Sequence, residues 1–327
     1  MAKFLFWGML LYVADISVIS ICPPVTYSGA PWSYTDDSTN LSQWAKNIRT
    51  MCSGLVQSPI DLDANTATYL GSKNDFVVEI SSNSPNTPEN FTVENNGHSL
   101  QVQVAEAQWH ITLKKKAKDY YRVLQFHFHW GNTSKRGSEH TSDKACFPLE
   151  MHIVGYSSIY DNAAQAKHSP AGLTVIGVFF KMTNKPAGSS LLKMGNLLSA
   201  IDSLTNARST ANVSYFDPKV LLPENKEFFR YQGSLTTPPC TENVQWTMMR
   251  HALHVNEADL KKLRSLRFGD SDGGKPMQDN FRPVQPLTAE QAPQPRVLYK
   301  SWSSASTALA AGLCMVILGI TFSTLSN

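Results

Sequence analysis

Apolar residues in this chain recur at every second position or in short continuous runs, separated by turn-forming residues. Phe76–Ile80, Leu100–Val104, Trp109–Leu113, Tyr121–Trp130, Leu149–Tyr156, Leu173–Met182 and Val244–Met249 carry this pattern. Side chains alternate across a strand, so such segments read as strands with one or both faces buried. Clusters of Gly, Pro, Asn and Ser between them supply the turns. Helical spacing is confined to short pieces, Ser190–Ile201 and Glu257–Leu266. No linker divides the region, so one β-rich domain with a few short helices is expected over about residues 30–290.

Both ends of the chain depart from this pattern. Lys3 precedes the apolar run Phe4–Ala14, and small residues follow between Ser17 and Cys22. Such a run is shorter than the ~20 residues that span a bilayer and suits the core of a signal peptide over residues 1–22. An amphipathic N-terminal anchor is the alternative. At the other end, Ala308–Leu325 is apolar almost throughout, Ser303-Ser304-Ala305-Ser306 precedes it, and Ser326-Asn327 adds no charge behind it. Small residues followed by an apolar tail form the pattern of a GPI-attachment signal, with Ser303 or Ser304 as attachment site and 304–327 removed. A single spanning helix is the alternative, although it would ordinarily be followed by cytoplasmic Lys or Arg. The domain between these segments is then 23–303. This layout predicts the extracellular face of the plasma membrane.

Composition adds less. The 327 residues are 42% apolar and 17% charged, with a formal net charge of +3, which offers nothing for nucleic acid as a partner. The dense basic run Lys114–Lys118 falls between two predicted strands and reads as a solvated turn. Export has its own signals: Asn-x-Ser/Thr sequons stand at Asn40, Asn90, Asn132 and Asn212. Setting Cys22 and Cys314 aside with the processed ends leaves Cys52, Cys146 and Cys240, enough for one disulfide and one free thiol.

The chemistry concentrates in YRVLQFHFHW, Tyr121–Trp130. Strict alternation puts Tyr121, Val123, Gln125, His127 and His129 on one face and Arg122, Leu124, Phe126, Phe128 and Trp130 on the other. In Leu149–Tyr156, Glu150, His152 and Val154 share a face by the same rule. If the two strands are close in one sheet, His127, His129 and His152 converge. Three neutral imidazoles suit Zn²⁺ and leave a fourth position open, the arrangement of a catalytic site. His251 and His254 lack a third ligand nearby and read as structural.

With these residues in view, the chain resembles the α-class carbonic anhydrases. QFHFHWG at Gln125–Gly131, GSEHT at Gly137–Thr141, EMHIV at Glu150–Val154, SLTTPP at Ser234–Pro239 and NFRPVQPL at Asn280–Leu287 follow that family's order and spacing. NNGH at Asn95–His98 and QSPIDL at Gln57–Leu62 extend the match. The exported, tail-anchored layout is similar to the GPI-linked vertebrate isozymes IV and XV. The resemblance implies a single mainly β domain around a large, twisted, mostly antiparallel central sheet. It implies reversible hydration of CO₂ to bicarbonate and a proton, by attack of zinc-bound hydroxide on CO₂.

It also implies roles. His127, His129 and His152 would ligate one Zn²⁺; Gln125, Glu150 and the backbone carbonyl of Asn280 would orient them. Thr236 would accept from the hydroxide and donate to Glu139, Thr237 would place bicarbonate or water, and Val154, Val175, Leu235 and Trp246 would form the apolar CO₂ wall. His98 would shuttle protons to buffer, although from the sequence alone it is equally a plain surface residue. Cys52 and Cys240 stand where exported members carry a disulfide. Trp32-Ser33-Tyr34 replaces the Trp-Cys-Tyr of isozyme IV, so a second bridge is not expected and Cys146 remains free. Bicarbonate or proton transporters are the partners such an enzyme would serve. The rival from another class is a catalytically silent, carbonic-anhydrase-like binding or adhesion domain.

Overall fold

The alternating segments assemble into one large sheet in the computed structural model of the protein, which describes residues 32–34, 44, 51–72, 75–83, 89–115, 118–269, 274–288 and 296–303. The expected signal segment 1–22, the tail 304–327 with Ser304, and Asn40 lie outside the described residues. In hydrogen-bonded order the sheet runs Thr210–Val213, Phe91–Asn95, Leu100–Gln103, Tyr121–Trp130, Leu149–Ser157, Leu173–Met182, Val244–Met249, Phe228–Gly233, Tyr299–Lys300 and Thr68–Tyr69. Trp109–Lys114 joins Tyr121–Trp130 and pairs with Phe76–Ser82. In this sheet, parallel pairing among the described residues is limited to Leu173–Met182 with Val244–Met249 and Leu253–Val255, and Tyr299–Lys300 with Thr68–Tyr69. The other pairs are antiparallel, so the sheet is mostly antiparallel as expected. No helix among the described residues is long and apolar enough to cross a membrane.

The two faces of the sheet have different work. One buries the larger core, which includes Val93, Val102, Phe126, Phe128, Ile153 and Ile176. The other carries a smaller apolar cluster, with Val154, Val175 and Trp246, beside the histidines. Strict alternation fails within the histidine strand. A register shift between Val123 and Gln125 inserts an extra residue into the histidine strand. Upstream of it the faces exchange: Val123 packs with the larger core, Tyr121 lies against it, and Leu124 lies against the smaller cluster. Downstream, Gln125, His127 and His129 keep the face that the sequence assigns them.

Glu257–Arg264 is a helix, capped by the Asn256 side chain, which accepts from Asp259 N at 2.8 Å. Ser190–Ile201 is not continuous. It divides into a 3₁₀ turn at Ser190–Lys193 and a short helix at Leu197–Ala200, because Gly195 between them adopts φ +58°, a left-handed conformation that breaks the helical ladder.

Candidate metal centre

Adjacent strands bring the histidines together through register. His127 is directly opposite His152, and His129 is opposite Glu150. The ring centroids of His127, His129 and His152 lie 4.6–5.2 Å apart. One nitrogen of each ring has a fixed partner. Gln125 Oε1 accepts from His127 Nδ1 at 2.9 Å, the Asn280 carbonyl from His129 Nδ1 at 2.7 Å, and Glu150 Oε1 from His152 Nε2 at 2.7 Å. That leaves Nε2, Nε2 and Nδ1 facing one another, and the ligand atoms of this trio lie within 4.8 Å of each other. His129 Nε2 is buried and makes no hydrogen bond. Burial first, then repulsion from its two neighbours, holds the His127 pKa well below the ordinary imidazole value. Burial likewise lowers His129, with Glu139 partly offsetting it. Neutral rings with converging free nitrogens are what ligation of a divalent metal needs.

The carboxylates are held by a buried network. Glu150 Oε2 accepts the N–H groups of Glu139 and His140, each at 2.9 Å, and its Oε1 also accepts from His140 Nδ1 at 2.7 Å. His140 Nε2 contacts Tyr231 Oη at 2.7 Å, and Tyr231 donates to Ser58 Oγ at 2.8 Å. Ser58 Oγ accepts from Ser234 N at 3.1 Å, which carries the chain of bonds to the loop bearing Thr236. Burial alone would raise the Glu150 carboxyl, but the His140 and His152 rings override it and hold it far below the usual carboxylate range. One expected contact is not made: Thr236, although buried, does not donate to Glu139. Arg282 N–H donates to Glu139 Oε1 at 2.8 Å, and Oε2, which accepts no hydrogen bond, faces His129 Nε2 at 3.5 Å and His152 Nδ1 at 3.8 Å.

A cavity of about 960 Å³ opens above these rings and is lined by Val154, Val175, Leu235, Trp246, Thr236 and Thr237. His98 lines the same cavity at the end of a tight turn. Asn96 Oδ1 accepts from His98 N and Ser99 N, and Gly97 turns the chain at φ +88°, a conformation open to glycine without strain.

Residues 39–292 match the family described as eukaryotic-type carbonic anhydrase. Carbonic anhydrase 7 of Mus musculus is 34% identical over 259 residues, covering 78% of this chain and 94% of the relative. Carbonic anhydrase 7 of Homo sapiens is 35% identical over the same shares. The chain belongs to the eukaryotic-type carbonic anhydrase family. That family's members are zinc enzymes that hydrate CO₂, and the donor set here fits zinc: three imidazoles whose second nitrogens are all engaged.

Within this carbonic anhydrase framework the structure adds residues the sequence did not single out. His140 and Tyr231 extend the Glu150 network, and Arg282 buries its guanidinium on Gln57 Oε1, Ser58 O and Cys52 O at 2.8, 2.8 and 3.0 Å. Trp32 stacks on His98, with ring centroids 3.8 Å apart and planes 21° apart. His140 sits in the GSEHT motif, so adjacency to Glu139 was its signal; Trp32 was noted only in the Trp32-Ser33-Tyr34 triplet, which bears on a second bridge and not on His98.

Cys52 and Cys240 form a disulfide, Cα to Cα 4.9 Å, one residue beyond Pro239 at the end of the SLTTPP loop. Cys146 is also disulfide-bonded, which corrects the free thiol expected of it. With Cys22 and Cys314 set aside with the ends of the chain, it was the Cys52–Cys240 pairing implied by the family resemblance that left Cys146 no candidate partner. Of the expected sequons, Asn90, Asn132 and Asn212 are all exposed.

Proposed function

We propose that this chain catalyses the reversible hydration of CO₂ to bicarbonate and a proton at the extracellular face of the plasma membrane, held there by a GPI anchor. The observation that carries the catalytic reading is the convergence of three imidazole nitrogens, each ring fixed from behind, at the floor of one cavity. His127, His129 and His152 would hold the zinc. The chemistry supplied by zinc in such a site is acidification of water to a pKa near 7, which makes a nucleophile available at neutral pH.

The surrounding residues divide the remaining tasks. Gln125, Asn280 and Glu150 fix ring orientation and raise the basicity of the ligating nitrogens. The Thr236 hydroxyl is the group that accepts a hydrogen bond from the nucleophile, and Thr237 places bicarbonate. Val154, Val175, Leu235 and Trp246 give CO₂ a dry wall to rest on. Glu139, buried beside the rings and held by the Arg282 N–H, is the acceptor toward which the Thr236 hydroxyl would turn its proton. His98 takes the proton released in each cycle and passes it to buffer, as an imidazole can in either direction near neutrality.

The exported reading is supported by the apolar runs at Phe4–Ala14 and Ala308–Leu325 and by the sequons. Ser303 remains the candidate attachment residue among those described, with Ser304 beside it. Bicarbonate or proton transporters would be its partners at that surface. Two experiments separate the parts. His127→Ala should abolish zinc binding and CO₂ hydration together; retained hydration would refute the ligand assignment. Phosphatidylinositol-specific phospholipase C should release the full chain from cells, whereas retention with the apolar tail intact by mass spectrometry would favour a spanning helix.

A further inference from the structure

Register carries the catalytic face of the sheet outward to its edge. Residues directly opposite in paired strands share a face. Trp246 is opposite Val175, Val175 opposite Val154, and Val154 opposite Gln125. Gln125 is opposite Gln103, Gln103 opposite Thr92, and Thr92 opposite Asn212. The row therefore begins in the cavity wall, passes the residue that holds His127, and ends on a sequon asparagine. The alternate row, Ala211, Val93, Val102, Phe126, Ile153 and Ile176, packs in the larger core, so the two faces are not interchangeable.

A second sequon meets the first. Thr92 is the hydroxyl residue of Asn90-Phe91-Thr92, and it lies opposite Asn212, the acceptor of Asn212-Val213-Ser214. Asn90, Thr92 and Asn212 are exposed, while Phe91 and Val213 are buried on the core side. Asn90 stands two residues before Thr92 and so shares its face by alternation. Its Oδ1 accepts from Tyr215 N at 3.3 Å, which leaves the sugar-bearing Nδ2 to solvent. Three strand spacings separate Asn212 from Gln125, roughly 14 Å. A flexible glycan on either asparagine can reach across that span.

We propose that N-glycans at Asn90 and Asn212 form one cluster beside the cavity mouth, which passes CO₂ and bicarbonate freely and slows the entry of bulky ligands. The proposal rests on the reading that the chain is exported. Each attachment forms a bond from Asn Nδ2 to C1 of the oligosaccharide as the C1–O bond to its lipid diphosphate carrier breaks; the lipid diphosphate leaves, and Nδ2 gives up one proton to a base. A solvated sugar cluster leaves gaps for a triatomic gas but excludes volume to anything of protein size.

Full-length protein made in a glycosylating cell line is tested in two ways. Peptide mass spectrometry reads occupancy at Asn90 and Asn212. Association rates are then measured for a small aryl sulfonamide and for the same sulfonamide coupled to a globular protein. The proposal expects both sites occupied. Removing the glycans, by glycosidase or by Thr92→Ala with Ser214→Ala, should speed the conjugate roughly tenfold and leave the small sulfonamide and CO₂ hydration unchanged. Asn132→Gln is the control, since Asn132 lies past the end of its strand and off this row, and it should change neither rate. Occupied sites with equal conjugate rates before and after removal would overturn the proposal and leave export standing. Empty sites on protein recovered from the cell surface would overturn it too, and failure to enter the secretory route would overturn the export reading itself.

Discussion

Each of the three imidazoles spends one nitrogen on a fixed partner, and that choice decides where the other nitrogen points. Glu150 is the most consequential partner, because the same carboxylate also orders His140 and the turn at Glu139. Glu150→Gln should weaken zinc binding on the order of 10–100-fold, read by competition with a chromogenic chelator. Unchanged affinity would mean that ring orientation is set elsewhere. His98→Ala should slow turnover on the order of tenfold in weak buffer, with rescue by added imidazole. Parent-level turnover in weak buffer would remove His98 from the proton path. At this scale much was legible, because period-two spacing alone put His127 and His129 on one face. The Asn280 carbonyl was reached only through family resemblance, since a main-chain acceptor carries no side-chain signal. Trp32 against His98 and Tyr231 against His140 join residues distant in sequence, and no local pattern marks them.

At the scale of elements, hydrophobic alternation located the long central strands and missed others. Phe228–Gly233 was not read because Arg230 interrupts it; that side chain is buried against the Phe76 and Phe228 rings, 4.5 and 4.7 Å from their centroids. The bulge before Gln125 was equally invisible, since an extra residue changes the pairing and not the composition. The loop bearing Thr236 is tied to the N-terminal segment by Cys52–Cys240 and by Met51 N donating to Pro239 O at 2.9 Å. Cys52→Ser with Cys240→Ser should lower unfolding stability by about 2–5 kcal/mol in urea titrations. No loss would mean that the loop is held by its hydrogen bonds alone.

Glu227, just before Phe228–Gly233, accepts from Arg250 Nη1 at 2.7 Å and sits 3.0 Å from His251 Nε2. Burial opposes its ionisation, but the His251 and Arg250 hydrogen bonds outweigh that and lower its pKa. A depressed carboxylate contributes stability above its unfolded pKa of about 4.3 and loses it as pH falls through the folded value. Glu227→Gln should therefore cost up to about 1 kcal/mol at pH 7, screened by partial exposure, and nothing measurable once pH is below the folded pKa. A cost that persists in acid would assign the effect to packing.

For the molecule as a whole, the sheet's two faces divide stability from chemistry. One face buries the main core, and the other holds the histidines, the apolar wall and the cavity mouth. The fold class was readable because alternation and turn residues dominate the sequence, while the order of strands in the sheet depends on long-range pairing that no local pattern encodes. Hydration of CO₂ in this cavity requires one zinc per chain, held by His127, His129 and His152. Stopped-flow CO₂ hydration and metal content, measured on the same secreted protein ending near Ser301, test it most directly. Fast hydration at one zinc per chain, lost on chelation and restored by zinc, is the expected result. One zinc per chain without hydration would contradict it and turn attention to a binding role for the domain.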